Sequence, residues 1–192
     1  MDRGLIEIHT ELGILASHLK NCKLKLQAEP KLSDLKVAAI DFEGKPFLLE
    51  TKAHNAFQRM RLAALKEKVV LMPFSGFRSY LYQRNLIASH LKNGRTIDDI
   101  LTAIAIPGFS EHHTGRAIDF HELGKNSLEE DFEKTASFEW LSQNAGRFHF
   151  TMSYPRDNKQ GIIYEPWHWF FSPQGTSSKR SPRALRVKTK ST

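Results

Sequence analysis

Residues 108–122 read GFSEHHTGRAIDFHE. Two adjacent histidines, His112 and His113, precede a short apolar run that contains Asp119 and closes on Glu122. The run RAIDFHE has the pattern of a strand, with Ala117 and Asp119 on one face and Ile118 and Phe120 on the other. Neighbours in extended chain point to opposite sides, so at most one of the two histidines serves a given site. Histidine is the commonest metal-ligating side chain, yet most histidines are surface or hydrogen-bonded core residues. Asp119 changes that balance. An acid beside buried strand neighbours needs a partner, and a metal ion is one candidate.

The second informative stretch is IYEPWHWFF, residues 163–171, which reads as an aromatic-rich strand. Glu165 and His168 are its polar members, and an apolar neighbourhood is costly for a carboxylate without a function. Pro166 is expected to hold Glu165 in extended geometry and so fix the direction of the acid. Two histidines and one carboxylate leave a fourth zinc position open, the catalytic rather than the structural arrangement. A further glutamate beside a water in that position is the expected general base. His112, Asp119, His168 and Glu165 supply each part once.

Working outward, residues 1–30 read as one amphipathic helix carrying Leu5, Ile8, Leu12, Leu15 and Leu19 and ending before Pro30. Two apolar runs around Asp41–Gly44 suggest a hairpin or tight turn. Residues 51–68 form a helix with Ala53, Phe57, Met60 and Ala64 on one face. VVLMPFSG (69–76) reads as a buried strand running into a glycine turn. A helix after Arg78 carries Leu81, Leu86, Ile87 and Leu91 and stops before Gly94, and Thr96 with Asp99 opens a further short helix to Ile104. Residues 136–146 read as a helix stopped by Gly146, and RFHFTMSY (147–154) as a strand. The expected class is α+β: a small, mainly antiparallel sheet flanked by helices, with the site in a cleft on the sheet. Three parts follow along the chain: 1–30, a helix packed on or preceding the domain; 31–171, the domain itself; and 172–192, a basic flexible tail.

Composition narrows the function classes. The chain has 192 residues, 40% of them hydrophobic and including 13 Phe, which fits one globular domain. Cys22 is the single cysteine, which excludes an internal disulfide and cysteine-based metal clusters. The net charge is +7, and the stretch after Ser172 carries six of those charges on Lys179, Arg180, Arg183, Arg186, Lys188 and Lys190, with no acid. The body is therefore nearly neutral, which argues against a nucleic-acid binder. The tail suits a solubilising role or an electrostatic tether to an anionic surface. No integral membrane segment is legible, and Glu7, His9 and Glu11 interrupt the apolar N-terminus. A cytoplasmic start is expected on that ground, with the periplasm or cell envelope as the alternative if the chain is truncated or exported by another route.

SEHHTGRAID (110–119) matches the pattern S-x-H-x-x-G-x-A-x-D, and EPWH (165–168) matches E-x-x-H. With PFSGFRSYLYQ (73–83) and WLSQNAGRFHF (140–150), in this order, the chain resembles the VanY-type D-alanyl-D-alanine carboxypeptidases. These are zinc peptidases of a wider group with the D-Ala-D-Ala dipeptidases and the L,D-carboxypeptidases. The resemblance runs from about Phe57 to Phe171. It implies one zinc per chain on His112, Asp119 and His168, with His113 in a slot usually filled by Gln. It implies Glu165 as the base and proton donor, Arg78 as the oxyanion ligand, and Gln83 and Ser110 as contacts to the substrate's terminal carboxylate. Each of the last three has a plainer reading: a salt bridge for Arg78, an exposed helix position for Gln83, a turn cap for Ser110. Gly115 reads as the tight turn behind the ligand loop, Trp167 and Trp169 as core, and Tyr154 as open. The activity implied is removal of the terminal D-alanine from peptidoglycan stem peptides by a monomer. L,D-carboxypeptidase and endopeptidase action are the alternatives within the class, and an inactive wall-binding module is the alternative outside it. The long acidic loop 121–135 and the absence of a legible signal leave the substrate more open than the reaction.

Overall fold

The computed structural model describes residues 2–40, 45–122 and 128–173. The turn expected at Asp41–Gly44, residues 123–127 of the acidic loop and the tail from 174 lie outside those described. The class is the expected one. A two-stranded antiparallel sheet pairs β1 (Leu35–Ile40) with β2 (Pro46–Glu50). A four-stranded antiparallel sheet has the order β3-β4-β6-β5, from β3 (Met72–Ser75), β4 (Ala117–His121), β5 (Phe150–Met152) and β6 (His168–Phe171).

The N-terminal segment corrects the reading as one helix. It forms α1 (Arg3–Glu11), a reversal, α2 (Ala16–Asn21) and then a stretch outside any helix or strand up to Lys31. Gly13, at φ +69°, adopts the left-handed conformation that ends helices, and it turns the chain where an uninterrupted apolar period suggested continuity. Leu5, Ile8 and Leu12 are buried as expected, but Leu15 is 60% exposed.

Helix α3 (Thr51–Lys66) forms where the period of 3.6 predicts it. Glu50 caps it by accepting the Lys52 and Ala53 N–H groups at 3.0 and 3.2 Å. Its face of Ala53, Ala56, Phe57, Met60 and Ala64 is wholly buried against the sheet. Full burial of a side chain such as Phe57 contributes about 1.5–3 kcal/mol. Helix α4 (Tyr80–Lys92) is capped by Ser79, and α5 (Ile97–Leu101) by Thr96, whose hydroxyl accepts the Asp99 N–H. On α4, Ile87 is buried as expected, but Leu81 faces solvent. A second apolar cluster of Ile8, Leu12, Ile14, Ile87, Ile100 and Ile106 joins the N-terminal segment to α4 and α5.

Two strands start later than their sequence suggests. After α6 (Ala136–Asn144) the chain continues in a 3-10 turn through Phe148 and reverses at His149, φ +64°, so Gly146 lies inside the turn rather than stopping a helix. Strand β6 starts at His168 because residues 165–168 form a turn, closed by the His168 N–H donating to the Glu165 carbonyl at 3.1 Å. The strand reading of Glu165 is corrected accordingly. Ile118, Phe120, Phe150, Trp169 and Phe171 face α3 and α6 in the main core, with Trp140 and Leu141. Alternation along β4 and β6 puts Asp119 and His168 on the opposite face.

Candidate active site

The ladder between β4 and β6 pairs Asp119 directly with His168. Directly opposed residues of antiparallel strands share a face with Cβ atoms about 4.5–5.5 Å apart, so register alone joins an acid and an imidazole 49 residues apart. His112 comes from a separate element, the 3-10 turn Glu111–Thr114 leading into β4. Ser110 opens that turn by accepting the His112 N–H at 3.3 Å, and Gly115 closes it at φ +66°. A Cβ on Gly115 would lie 2.9 Å from the Glu50 nitrogen, whose N–H donates to the Gly115 carbonyl at 2.8 Å. The end of β2 therefore packs against the back of the histidine turn.

His112, Asp119 and His168 are all buried, and each offers one ligand atom within 4.8 Å of the others. His112 Nδ1–H donates to the Gly76 carbonyl at 2.6 Å, which leaves Nε2 as the bare nitrogen. That Nε2 is buried, lies 3.0 Å from Asp119 Oδ2 and lacks the alignment for a hydrogen bond. His168 Nδ1 lies 2.9 Å from Asp119 Oδ1, and its Nε2–H donates to Glu111 Oε2 at 2.9 Å. An orphaned imidazole nitrogen, a second imidazole and a carboxylate converging in a buried place fit Zn²⁺ better than oxygen-seeking Mg²⁺ or Ca²⁺.

Electrostatics agree with the geometry. Burial by itself would raise the Asp119 carboxyl, but His112 and His168 hold it well below the usual range. His112 is pushed down to about 4 by burial, with the Arg78 guanidinium adding to the effect. His168 moves the other way, to about 10: burial opposes its charge, and hydrogen bonds to Asp119 and Glu111 outweigh that. Glu165 is raised to about 7, mainly by burial. Its Oε2 lies 3.9 Å from His168 Nδ1, and its N–H donates to the Tyr154 carbonyl at 3.0 Å. Trp169 Nε1–H donates to the Pro166 carbonyl at 3.0 Å, pinning the turn that carries the acid.

Arg78 reaches the same place, with Nη2 3.4 Å from Asp119 Oδ2 and Nε buried without a partner among the described residues. His113 is turned away from the triad. Its Nδ1–H donates to the Arg78 carbonyl at 2.7 Å, and its Nε2 accepts the Gly108 N–H at 3.1 Å. Gln83 is buried, not an exposed helix position, and its Nε2 donates to the Ala105 carbonyl at 2.8 Å. The Tyr154 ring lies 4.8 Å from that of His168, tilted by 36°, and Trp167 and Trp169 belong to the core.

Sequence reasoning missed Glu111 and Ser153. Glu111 lies between Ser110 and His112, where the spacing pattern treats it as filler, and it accepts from both His168 and the Ser153 hydroxyl. The signal available was the second nitrogen of His168, since a ligating imidazole needs a partner for its other N–H.

A family model described as VanY, D-alanyl-D-alanine carboxypeptidase, matches residues 46–174. YodJ of Bacillus subtilis (strain 168) is 35% identical over 175 residues, which are 86% of this chain and 62% of that protein. The chain thus spans less than two thirds of that relative's length. VanXYC of Enterococcus gallinarum, a bifunctional D-Ala-D-Ala dipeptidase and D-Ala-D-Ala carboxypeptidase, is 30% identical over 159 residues, 78% of each chain. Among solved structures, the LdcB LD-carboxypeptidase is 31% identical with a TM-score of 0.65, covering 76% of this chain and 70% of its own. With the family model spanning more than half its length, the chain belongs to the VanY D-alanyl-D-alanine carboxypeptidase family.

Proposed function

We propose that the chain is a zinc-dependent carboxypeptidase, with one zinc per chain, that removes the terminal D-alanine from peptidoglycan stem peptides ending in D-Ala-D-Ala. The observation that carries the reading is Glu165: a buried carboxylate, raised to about 7, facing the His112–Asp119–His168 triad without belonging to it. When bound, zinc supplies a Lewis acid for the scissile carbonyl and brings the pKa of its water to about 7. Glu165 accepts the proton of the attacking water and returns it to the leaving amine, a task suited to a group titrating near neutrality. Arg78, permanently charged and with an unpartnered buried Nε, stabilises the developing oxyanion.

Gln83 and Ser110 are assigned to the substrate's terminal carboxylate. Gln83 keeps one amide N–H beyond its bond to Ala105, and Ser110, an acceptor in its turn, keeps its hydroxyl hydrogen to donate. The peptidase unit is placed at residues 31–171, acting as a monomer. A second reading, L,D-carboxypeptidase action on tetrapeptides, is favoured by the likeness to LdcB.

The test compares wild type with Glu165→Gln, each assayed for zinc content and, by mass spectrometry, for D-alanine release from pentapeptide and tetrapeptide. A lost general base costs about 10²–10⁴-fold in kcat, with KM little changed and zinc retained. A folded, zinc-loaded Glu165→Gln enzyme keeping more than about a tenth of wild-type kcat would defeat the mechanism. Cleavage of tetrapeptide in preference to pentapeptide selects the second reading.

A further inference from the structure

The carboxylate of Glu111 has no part in the chemistry above, yet it lies at the centre of the site's polar contacts. Oε2 accepts the Ser153 hydroxyl at 2.6 Å and the His168 Nε2–H at 2.9 Å. A carboxylate only accepts, so the proton between Glu111 and His168 belongs to the imidazole. By the same rule Nδ1–H donates to Asp119 Oδ1 at 2.9 Å, so both ring nitrogens carry protons here. The Glu111 bond orients the ring so that the Nδ1 proton is the one a bound ion would displace, on the side where His112 Nε2 also converges. The two imidazoles are oriented by different devices. His112 presents Nε2 because a backbone carbonyl, Gly76, takes its Nδ1–H. His168 presents Nδ1 because a side chain takes its Nε2–H.

Ser153 follows β5 and carries the chain toward Tyr154, whose carbonyl holds the Glu165 N–H. The hydroxyl of Ser153 therefore ties Glu111, on the histidine turn, to the segment that also places the base. Glu111 is enclosed by this arrangement, with its side chain 20% exposed.

We infer that Glu111 is a positioning residue for the metal centre: held by Ser153, it locks His168 in the tautomer and orientation that offer Nδ1 as the ligand. This rests on the zinc-site reading above. Partners of this kind behind a ligating histidine typically change metal affinity by about 10–100-fold when removed. A Gln at 111 keeps a carbonyl acceptor for the Nε2–H, whereas an Ala keeps none.

The experiment measures zinc affinity by chelator competition on wild type, Glu111→Ala, Glu111→Gln and Ser153→Ala, with thermal melting of each metal-free protein and the ¹⁵N signature of His168 in each zinc-loaded one. Wild type is expected to show His168 protonated at Nε2 and coordinated through Nδ1. Glu111→Ala should lose about 10–100-fold in affinity and the single tautomer. Glu111→Gln should retain the tautomer and recover most of that loss, and Ser153→Ala should lose less than Glu111→Ala. The inference is overturned if Glu111→Ala binds zinc within about twofold of wild type, or if Glu111→Gln is no better than Glu111→Ala, measured against the loss expected for such a partner. A Ser153→Ala loss matching that of Glu111→Ala would overturn the supporting place given to the serine. A wild-type protein that binds no zinc sinks the zinc-site reading itself, which separates the two failures.

Discussion

At the scale of single residues, adjacent histidines separate into a member of the candidate metal triad and a brace. His113 is buried and held down to about 4, chiefly by burial, so it works as a neutral ring with one donor and one acceptor. It donates to the Arg78 carbonyl and accepts the Gly108 N–H, joining the segment before α4 to the start of the histidine turn. Glutamine carries the same pair of functions, one donor and one acceptor. His113→Gln should therefore fold with near wild-type stability. His113→Ala orphans the buried Gly108 N–H and should lose about 1–3 kcal/mol. Both should keep their zinc, whereas His112→Ala should not. Urea unfolding and metal analysis of the three variants check this, and zinc loss from His113→Ala with retention in His112→Ala would reverse the assignment. The convergence of His112, Asp119 and His168, with Glu165 beside them, was legible because polar residues at fixed spacing among apolar neighbours need a purpose. Glu111 was not, because its partner His168 lies 57 residues away and is brought close only by the β4–β6 register.

At the scale of elements, backbone groups do work that no side-chain pattern announces. Gly76 follows β3, and its carbonyl sets the His112 tautomer. A Cβ there would stand 2.5 Å from the Leu48 carbonyl oxygen and 2.9 Å from the Phe47 ring, so β2 occupies the space a side chain would need. Gly76→Ala must displace either β2 or the acceptor of His112. It should lose about 1–3 kcal/mol, as overpacking does, and bind zinc more weakly. Gly146→Ala is the control, since no described residue lies within 4 Å of its Cβ position, and should be neutral or stabilising by up to about 1 kcal/mol. Denaturant titration with chelator competition compares them, and a Gly76→Ala protein indistinguishable from wild type would show that β2 yields. Helix α3 was readable because Ala53, Phe57, Met60 and Ala64, spaced by three and four residues, form one apolar face, a local signal, although its Glu50 cap was not read. The break at Gly13 and the late start of β6 were not, since left-handed turns and the Glu165–His168 turn interrupt runs whose hydrophobic pattern continues unchanged.

At the scale of the whole molecule, the site is a junction of segments that share no local sequence. Of the candidate triad, one residue lies on the histidine turn, one on β4 and one on β6, while β2 and β3 brace the turn through Gly115 and Gly76. A metal ion held there joins the two central strands of the four-stranded sheet to the turn, so binding energy becomes folding energy. Free zinc at about 100 times its Kd should add about 2.7 kcal/mol. For a chain of this size each kcal/mol moves Tm by about 2–4 °C, so chelation should lower Tm by roughly 5–10 °C, and the shift should grow with the logarithm of free zinc. The variants then sort by place rather than by severity. His112→Ala should melt at the same temperature with or without zinc. Glu165→Gln should respond as wild type does, because it touches the site without supplying a ligand. Melting curves over a zinc and chelator series, run on protein purified without a metal-affinity tag, make the comparison. A His112→Ala protein with a full zinc response would place the ion elsewhere. A Glu165→Gln protein without one would make the carboxylate a ligand and remove it from the role of base.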